Sequence, residues 1–327
     1  MSTPESSQTA TTSVVAPGHA GQAGHAGQAG HAGHKGHAGR AGHALVTGAG
    51  SGIGAAIARD LAAHGWEVTG VDVRQDALDA VLAEVRERTG APVHALVGDL
   101  GDETFARDAV AAAWERRPLD ALVNAAGVYP AIPFLEITPA QWDRVQHVNV
   151  RAVLLATQEL GRRATAAGRT PAVVNITSGA ARAARPGTAH YSTSKAALTL
   201  LTQASAVELG PSGIRVNAVA PGFVDVDSPV NPVTPEYADA VRRNVLPGRA
   251  EPGDIASAVR FLLGPDARWV SGTTLSVDGG ASGGTTALPQ HWPTTTSTQQ
   301  PTADGPGAAP TTGAPAATSP HLSEVPA

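Results

Sequence analysis

"HALVTGAGSGIGAAIARDLAAHG", residues 43–65, decides the fold. Its first six residues are an apolar run closing on Gly48, the pattern of a short buried strand. The later part spaces Ile53, Ile57 and Leu61 along one helical face and ends at Gly65. Gly48, Gly52 and Gly54 stand where strand turns into helix. Glycine permits the tight turn and lets backbone approach a pyrophosphate. The helix start adds free N–H groups and the positive end of a dipole. A plain strand–helix turn does not need these three glycines and Gly50 as well, four in seven residues.

Working outward, the same alternation repeats. Strand-like "WEVTGVDV" precedes an amphipathic helix at 75–90, with Leu78, Val81, Leu82 and Val85 facing inward. "PVHALVGD" precedes a helix at 102–117, and "LDALVNAAG" follows it. A helical stretch at 139–167 leads to "AVVNITS", a helix at 190–209 to "IRVNAVA", and a helix at 252–263 to "TTLSVDGG". Strands alternating with helices of this length predict a parallel sheet covered on both faces. Right-handed crossovers then give an α/β, Rossmann-like, doubly wound, three-layer single domain. The helix content alone would also permit a bundle, but β-branched runs ending in Gly or Asp argue against one.

The chain has 327 residues, 42% of them hydrophobic and 16% charged, with a formal net charge of −5. Mild acidity argues against a nucleic-acid partner. There is no cysteine, hence no disulfide and no thiolate chemistry. The first residues lack a basic start followed by an apolar run, and no apolar stretch is long enough to span a bilayer. A soluble, cytoplasmic protein that touches no membrane is the expectation, and no metal site is assigned. The ends differ from the middle. Glycine recurs at every third position from Gly18 to Gly42, with histidines interleaved. Without proline in the triplets a collagen helix is not expected. The histidine edge could hold a metal weakly, but a flexible tail is the simpler reading. From about Gly283 the chain turns rich in Thr, Pro, Ala and Ser. The expected organisation is a disordered tail over 1–42, a folded domain over 43–283 and a second disordered tail over 284–327.

Asp72 closes the second strand, 24 residues after Gly48. A carboxylate there can accept hydrogen bonds from both adenosine ribose hydroxyls and would repel a 2′-phosphate. Position 73 is Val, Ser51 sits in the glycine loop, and Arg74 is one step displaced. NAD is therefore expected over NADP. Asp99 and Leu100 end the third strand, where adenine would lie; a turn residue and a core contact are the alternatives. Tyr191 and Lys195, in "HYSTSK", stand one helical turn apart and share a face. Alone, that pair fits either proton chemistry or a solvated surface.

Taken together, these motifs resemble those of the short-chain dehydrogenase/reductase family. The carriers are Thr47 to Gly54, "NAAG" at 124–127, Asn149 in "VNV", Ser178 in "NITS", Tyr191 and Lys195, Pro221-Gly222, and "VDGG" at 277–280. They run in order over about 43–283. The resemblance implies hydride transfer between a secondary alcohol or ketone and a nicotinamide. It implies a catalytic set of Asn149, Ser178, Tyr191 and Lys195. Tyr191 would be base in oxidation and acid in reduction, its pKa lowered by Lys195 and by the positive nicotinamide together. Ser178 would hold the substrate oxygen, and Asn149 a relay water. Cofactor contacts are implied at Gly48, Ser51, Gly52, Ile53, Gly54, Asp72, Asp99, Leu100, Asn124, Ala125, Gly127, Tyr191, Lys195, Pro221, Gly222 and Val224. A homotetramer built through the helices at 139–167 and 190–209 is implied as well. Two departures stand out: Ala125 where many members carry Asn, and Val226 where many carry a cofactor-bonding threonine.

The pocket is less legible. Small residues follow Ser178, Tyr129 could form a wall, and 222–250 reads as a long, Pro-containing mobile lid. Arg182, Arg185, Arg242 and Arg243 could meet an anionic substrate or be solvated surface charge. A 3-oxoacyl-thioester reductase using NADPH, and a non-catalytic NAD-binding sensor or scaffold, stay open as alternatives.

Overall fold

The computed structural model describes residues 42–284, apart from 225, 227–234 and 242–244. Both expected tails, but for Gly42 and Gly284 at their inner ends, lie outside the described residues, as do Arg242 and Arg243. Seven parallel strands form one sheet: β1 (His43–Thr47), β2 (Glu67–Asp72), β3 (Val93–Val97), β4 (Ala121–Asn124), β5 (Ala172–Ile176), β6 (Arg215–Pro221) and β7 (Thr274–Val277). Their order is β3-β2-β1-β4-β5-β6-β7. The chain thus starts in the middle, winds one way to β3, then crosses back beside β1. That reversal opens a crevice at the carboxyl ends of β1 and β4.

Why these strands read as continuous apolar runs is visible in β1. Ala44 and Val46 face one core cluster and Leu45 the other. Strand β4 repeats this with Ala121 and Val123 against Leu122. Because successive side chains point to opposite faces, a strand covered on both sides needs apolar residues at every position. One face is closed by α1 (Gly52–Ala63), α2 (Gln75–Thr89) and α8 (Pro252–Leu263), through Ile57, Leu61, Leu78, Ile255 and Leu262. The other is closed by α3 (Phe105–Arg116) and α5 (Ala152–Ala166), through Val110, Leu155 and Leu160. Edge strands differ: in β3 only Val93 is buried, His94 and Leu96 are half-buried, and Ala95 and Val97 are exposed. Buried His43 is satisfied at both ring nitrogens, by Arg117 O and Thr69 Oγ1, each at 2.8 Å.

Three elements depart from the sequence reading. The helix expected over 139–167 is α4 (Pro139–Gln146), then a π-helical turn His147–Arg151, then α5. A 3-10 turn, Phe134–Glu136, precedes it. Inside the expected lid lies a short helix, α7 (Pro235–Val241). The long helix is α6 (Ala189–Leu209). Among the described residues no helix is long and apolar enough to cross a membrane.

Candidate active site

The glycine loop is built as its composition requires. Gly48 and Gly52 adopt φ of +71° and +51°, the left-handed region that a side chain disfavours. A Cβ on Gly48 would lie 2.9 Å from Ala126 Cα, so bare backbone is needed there for a second reason. Thr47 joins the two loops at the crevice: its Oγ1 accepts from Ala125 N at 3.0 Å and Ala126 N at 3.1 Å. Ser51 is extended, caps α1 without a side-chain hydrogen bond, and no acid sits in the first turn. The N–H groups of Gly52, Ile53 and Gly54 therefore lack intrahelical acceptors and face the crevice end of β1. The Ile53 side chain itself packs on the core.

Asp72 is buried at the end of β2. Its Oδ2 accepts from Gly50 N at 2.9 Å, and its Oδ1 from Arg74 N at 3.0 Å. Arg74 Nε also comes within 3.8 Å of Oδ1, so the displaced arginine reaches the carboxylate after all. Asp99 has its carboxylate engaged by Arg144 Nη1 at 2.8 Å and Gly101 N at 2.7 Å, and Leu100 packs on the second core cluster. Asn124 turns its amide into the sheet, donating to Asn175 Oδ1 at 2.8 Å; Asn175 then donates to Thr202 Oγ1 at 3.0 Å. The side chains of Asp99, Leu100 and Asn124 are thus taken up by protein partners, whereas each Asp72 oxygen keeps a second acceptor position.

The second half of the site gathers on α6 and its neighbours. Lys195 is buried, and Nζ donates to Ile176 O at 2.8 Å. Burial lowers its pKa to about 8. A Cβ placed on Gly127 would lie 3.4 Å from both Lys195 Nζ and Asn149 Oδ1, so the glycine keeps open the space those atoms share. Asn149 sits on the π turn, a distortion that often marks functional positions. Its Nδ2 donates to Val128 O and Ser194 Oγ, each at 3.0 Å, and Oδ1 accepts from Val128 N at 2.9 Å. One acceptor position on Oδ1 remains. Ser178 accepts from Ala180 N at 3.1 Å and hydrogen-bonds Tyr191. The Tyr191 ring meets Tyr129 with centroids 5.8 Å apart and tilted 54°.

The expected lowering of the Tyr191 pKa does not hold for the chain by itself. Burial dominates and pushes the phenol up, since a desolvated phenolate is costly. The Ser178 hydrogen bond and the charge of Arg185 pull the other way. Lys195 stands 5.7 Å from the ring centroid.

Pro221 ends β6, and Gly222 N donates to Val277 O at 3.0 Å. Val224 forms a bridge with Ala250, which pins one mouth of the expected lid. Val226 comes down on the glycine loop: a Cβ on Gly52 would lie 3.6 Å from its Cγ1. Sequence reasoning missed Gly50, Ser194 and Asn175. The signal for Asn175 was a polar residue inside an apolar strand. Gly50 was marked by its place in the glycine loop, and nothing local marked Ser194.

Comparison with known proteins agrees with this geometry. Residues 48–282 match a family model described as Enoyl-(Acyl carrier protein) reductase. Cyclopentanol dehydrogenase of Comamonas testosteroni is 37% identical over 246 residues, 72% of this chain and 95% of that protein. L-xylulose reductase of Homo sapiens is 37% identical over 238 residues, 72% of this chain and 94% of that protein. A crystal structure of a short chain dehydrogenase from Burkholderia cenocepacia in complex with NADP superposes with a TM-score of 0.69 at 38% identity, covering 74% and 98% of the two chains.

Proposed function

The chain belongs to the short-chain dehydrogenase/reductase family of oxidoreductases, and on that premise we propose that it interconverts a secondary alcohol and a ketone with Tyr191 as the proton-handling group. The observation that carries this is the convergence of Tyr191, Ser178, Lys195 and Asn149 beside bare backbone at Gly127. The crevice fits a nicotinamide dinucleotide: glycines that a Cβ would obstruct, an uncapped helix start and a buried strand-end carboxylate. Gly48, Ser51, Gly52 and Gly54 would hold its pyrophosphate and Asp72 the adenosine ribose. Lys195, Ala125, Gly127, Pro221, Gly222 and Val224 would border the nicotinamide half. When bound, the nicotinamide supplies the hydride acceptor or donor. The rest falls to the chain. Ser178 holds the substrate oxygen, and Tyr191 gives that oxygen a proton in reduction or takes it in oxidation. A phenol held protonated by burial is ready for the first of these. Lys195 orients the ribose and adds positive charge nearby, and the free acceptor of Asn149 is the place for a relay water. The test is turnover of a panel of cyclic and acyclic secondary alcohols, read as nicotinamide absorbance. Dinucleotide binding with no turnover across the panel would favour the non-catalytic sensor.

For the cofactor we infer NAD, because a 2′-phosphate would crowd the buried Asp72 carboxylate. NADP is the second reading, favoured by Arg74 beside Asp72 and by the NADP in the Burkholderia relative. Asp72→Ala is expected to raise KM for NAD about tenfold or more, the loss of hydrogen bonds to a charged acceptor, and KM for NADP less. A larger loss for NADP in steady-state kinetics would reverse the assignment.

Val226→Thr places a hydroxyl near Gly52 at nearly constant volume. One added hydrogen bond contributes about 0.5–1.5 kcal/mol, so dinucleotide affinity should rise about two- to tenfold. Fluorescence titration reads this, and unchanged affinity would mean that position 226 does not reach the cofactor. Trp142 on α4 and Leu200 and Val207 on α6 are exposed apolar groups, and they support a homotetramer formed through these helices.

A further inference from the structure

The loop between β5 and α6 carries two guanidinium groups with different fates. Arg182 donates to Ser276 Oγ and lies in the field of Asp278, so it is tied to the end of β7. Arg185 has no carboxylate partner among the described residues. It is half-buried, and its backbone is fixed. Arg185 N donates to Thr188 Oγ1 at 3.2 Å, and Arg185 O accepts from Thr188 Oγ1 at 2.8 Å. Thr188 Oγ1 also lies 3.0 Å from Ser192 Oγ, on the residue next to Tyr191. The position of Arg185 is therefore set by the first turn of α6.

The loop closes on the facing wall. Gly187 O accepts from Ile132 N at 3.0 Å, on the segment that carries Tyr129. Arg185, Tyr129 and Tyr191 thus share one rim of the site. The charge of Arg185 is felt at the Tyr191 hydroxyl, which places the guanidinium within electrostatic reach of the reacting centre. Lys195 cannot serve an anionic substrate in its place, since it is buried and committed to Ile176 O. A partly desolvated guanidinium without an acid is poised for a planar, two-oxygen anion, because its fork of donors matches a carboxylate.

We propose that Arg185 is a specificity-determining residue that selects substrates bearing a carboxylate near the reacting carbon, so that hydroxy-acids and oxo-acids are preferred over neutral alcohols and sugars. This rests on the oxidoreductase reading above. The carboxylate docks on Arg185 at the rim while the secondary alcohol or ketone oxygen lies between Ser178 and Tyr191. No bond to the carboxylate forms or breaks.

The test uses the full chain, reduced dinucleotide, and two matched pairs of probes: 3-oxobutanoate and 4-oxopentanoate, each against its methyl ester. The acid-to-ester ratio of kcat/KM divides out any effect of Arg185 on Tyr191, since the same phenol serves both. The wild type should favour at least one acid over its ester by about tenfold or more, the size of one charge-assisted hydrogen-bonded pair. Arg185→Gln should collapse that ratio toward one, chiefly through KM for the acid, and Arg185→Lys should restore part of it. A wild type that turns over esters as well as acids, or an Arg185→Gln variant that lowers both equally, overturns the inference and leaves the oxidoreductase reading intact. If none of the four ketones is reduced, calorimetric titration of the enzyme–dinucleotide complex with 4-oxopentanoate decides. Binding that weakens in Arg185→Gln upholds the inference, and binding that is undetectable or indifferent to the substitution overturns it.

Discussion

Tyr191→Phe is expected to cut turnover by about a thousandfold, the usual contribution of a positioned general acid or base, while dinucleotide affinity stays near its original value. The substitution removes one oxygen and little else. The ring keeps its packing against Tyr129, at 5.8 Å between centroids. Ser178 loses its bond to the phenol but still accepts from Ala180 N at 3.1 Å, so the loop after β5 keeps its anchor. Lys195 remains bonded to Ile176 O, and Asn149 to Val128 and Ser194. Nothing in the glycine loop touches the change. Activity and binding should therefore separate cleanly: kcat falls, and a fluorescence titration with dinucleotide does not move. Retained turnover in this variant would remove Tyr191 from the chemistry and with it the proposed mechanism.

The order and type of the main elements were legible in the sequence because each strand is covered on both faces and each helix on one. Periodicity then reports burial directly. Where that coupling weakens, so does the reading. The π turn at His147–Arg151 has no local signature, and the Asn149 side chain it carries finds its partners at Val128 and Ser194, far along the chain. Helix α7 stands inside a Pro-containing stretch that reads as loop. The site shows the same division. Glycines at 48 and 54 declare themselves because only backbone fits there, and Gly52 because its φ of +51° disfavours a side chain. The partners of polar side chains do not: Asn124 turned inward to Asn175, and Asp99 engaged by Arg144, depend on contacts 51 and 45 residues away. The upward shift of Tyr191 in the chain without a dinucleotide is illegible for a related reason. A neighbouring cation is visible in the sequence, whereas the cost of burying a phenolate depends on how densely the fold packs around it.

Gly54→Ala should disable the crevice from its other end. A Cβ at this position would lie 2.6 Å from the Gly48 carbonyl carbon, closer still to its oxygen, and 3.1 Å from Thr47 O. These are backbone atoms, so no rotamer change relieves the clash. Gly48 has little room to retreat, since Ala126 backbone packs so close that a Cβ added to Gly48 would lie 2.9 Å from Ala126 Cα. The strain passes to Thr47, whose hydroxyl holds Ala125 N and Ala126 N. Overpacking of this kind costs about 1–3 kcal/mol. Because the displaced groups are those that would meet the pyrophosphate, a comparable loss is expected in dinucleotide affinity, about ten- to hundredfold. Urea unfolding and fluorescence titration measure the two effects. Gly253→Ala is the control: it sits in the first turn of α8 with nothing within 4 Å of the added methyl, so it should leave dinucleotide affinity unchanged and, as Ala replacing Gly in a helix, raise stability by up to about 1 kcal/mol. If Gly54→Ala bound dinucleotide as the wild type does, the loop between β1 and α1 would not be the phosphate cradle. The cofactor would then have to be sought away from the carboxyl ends of β1 and β4.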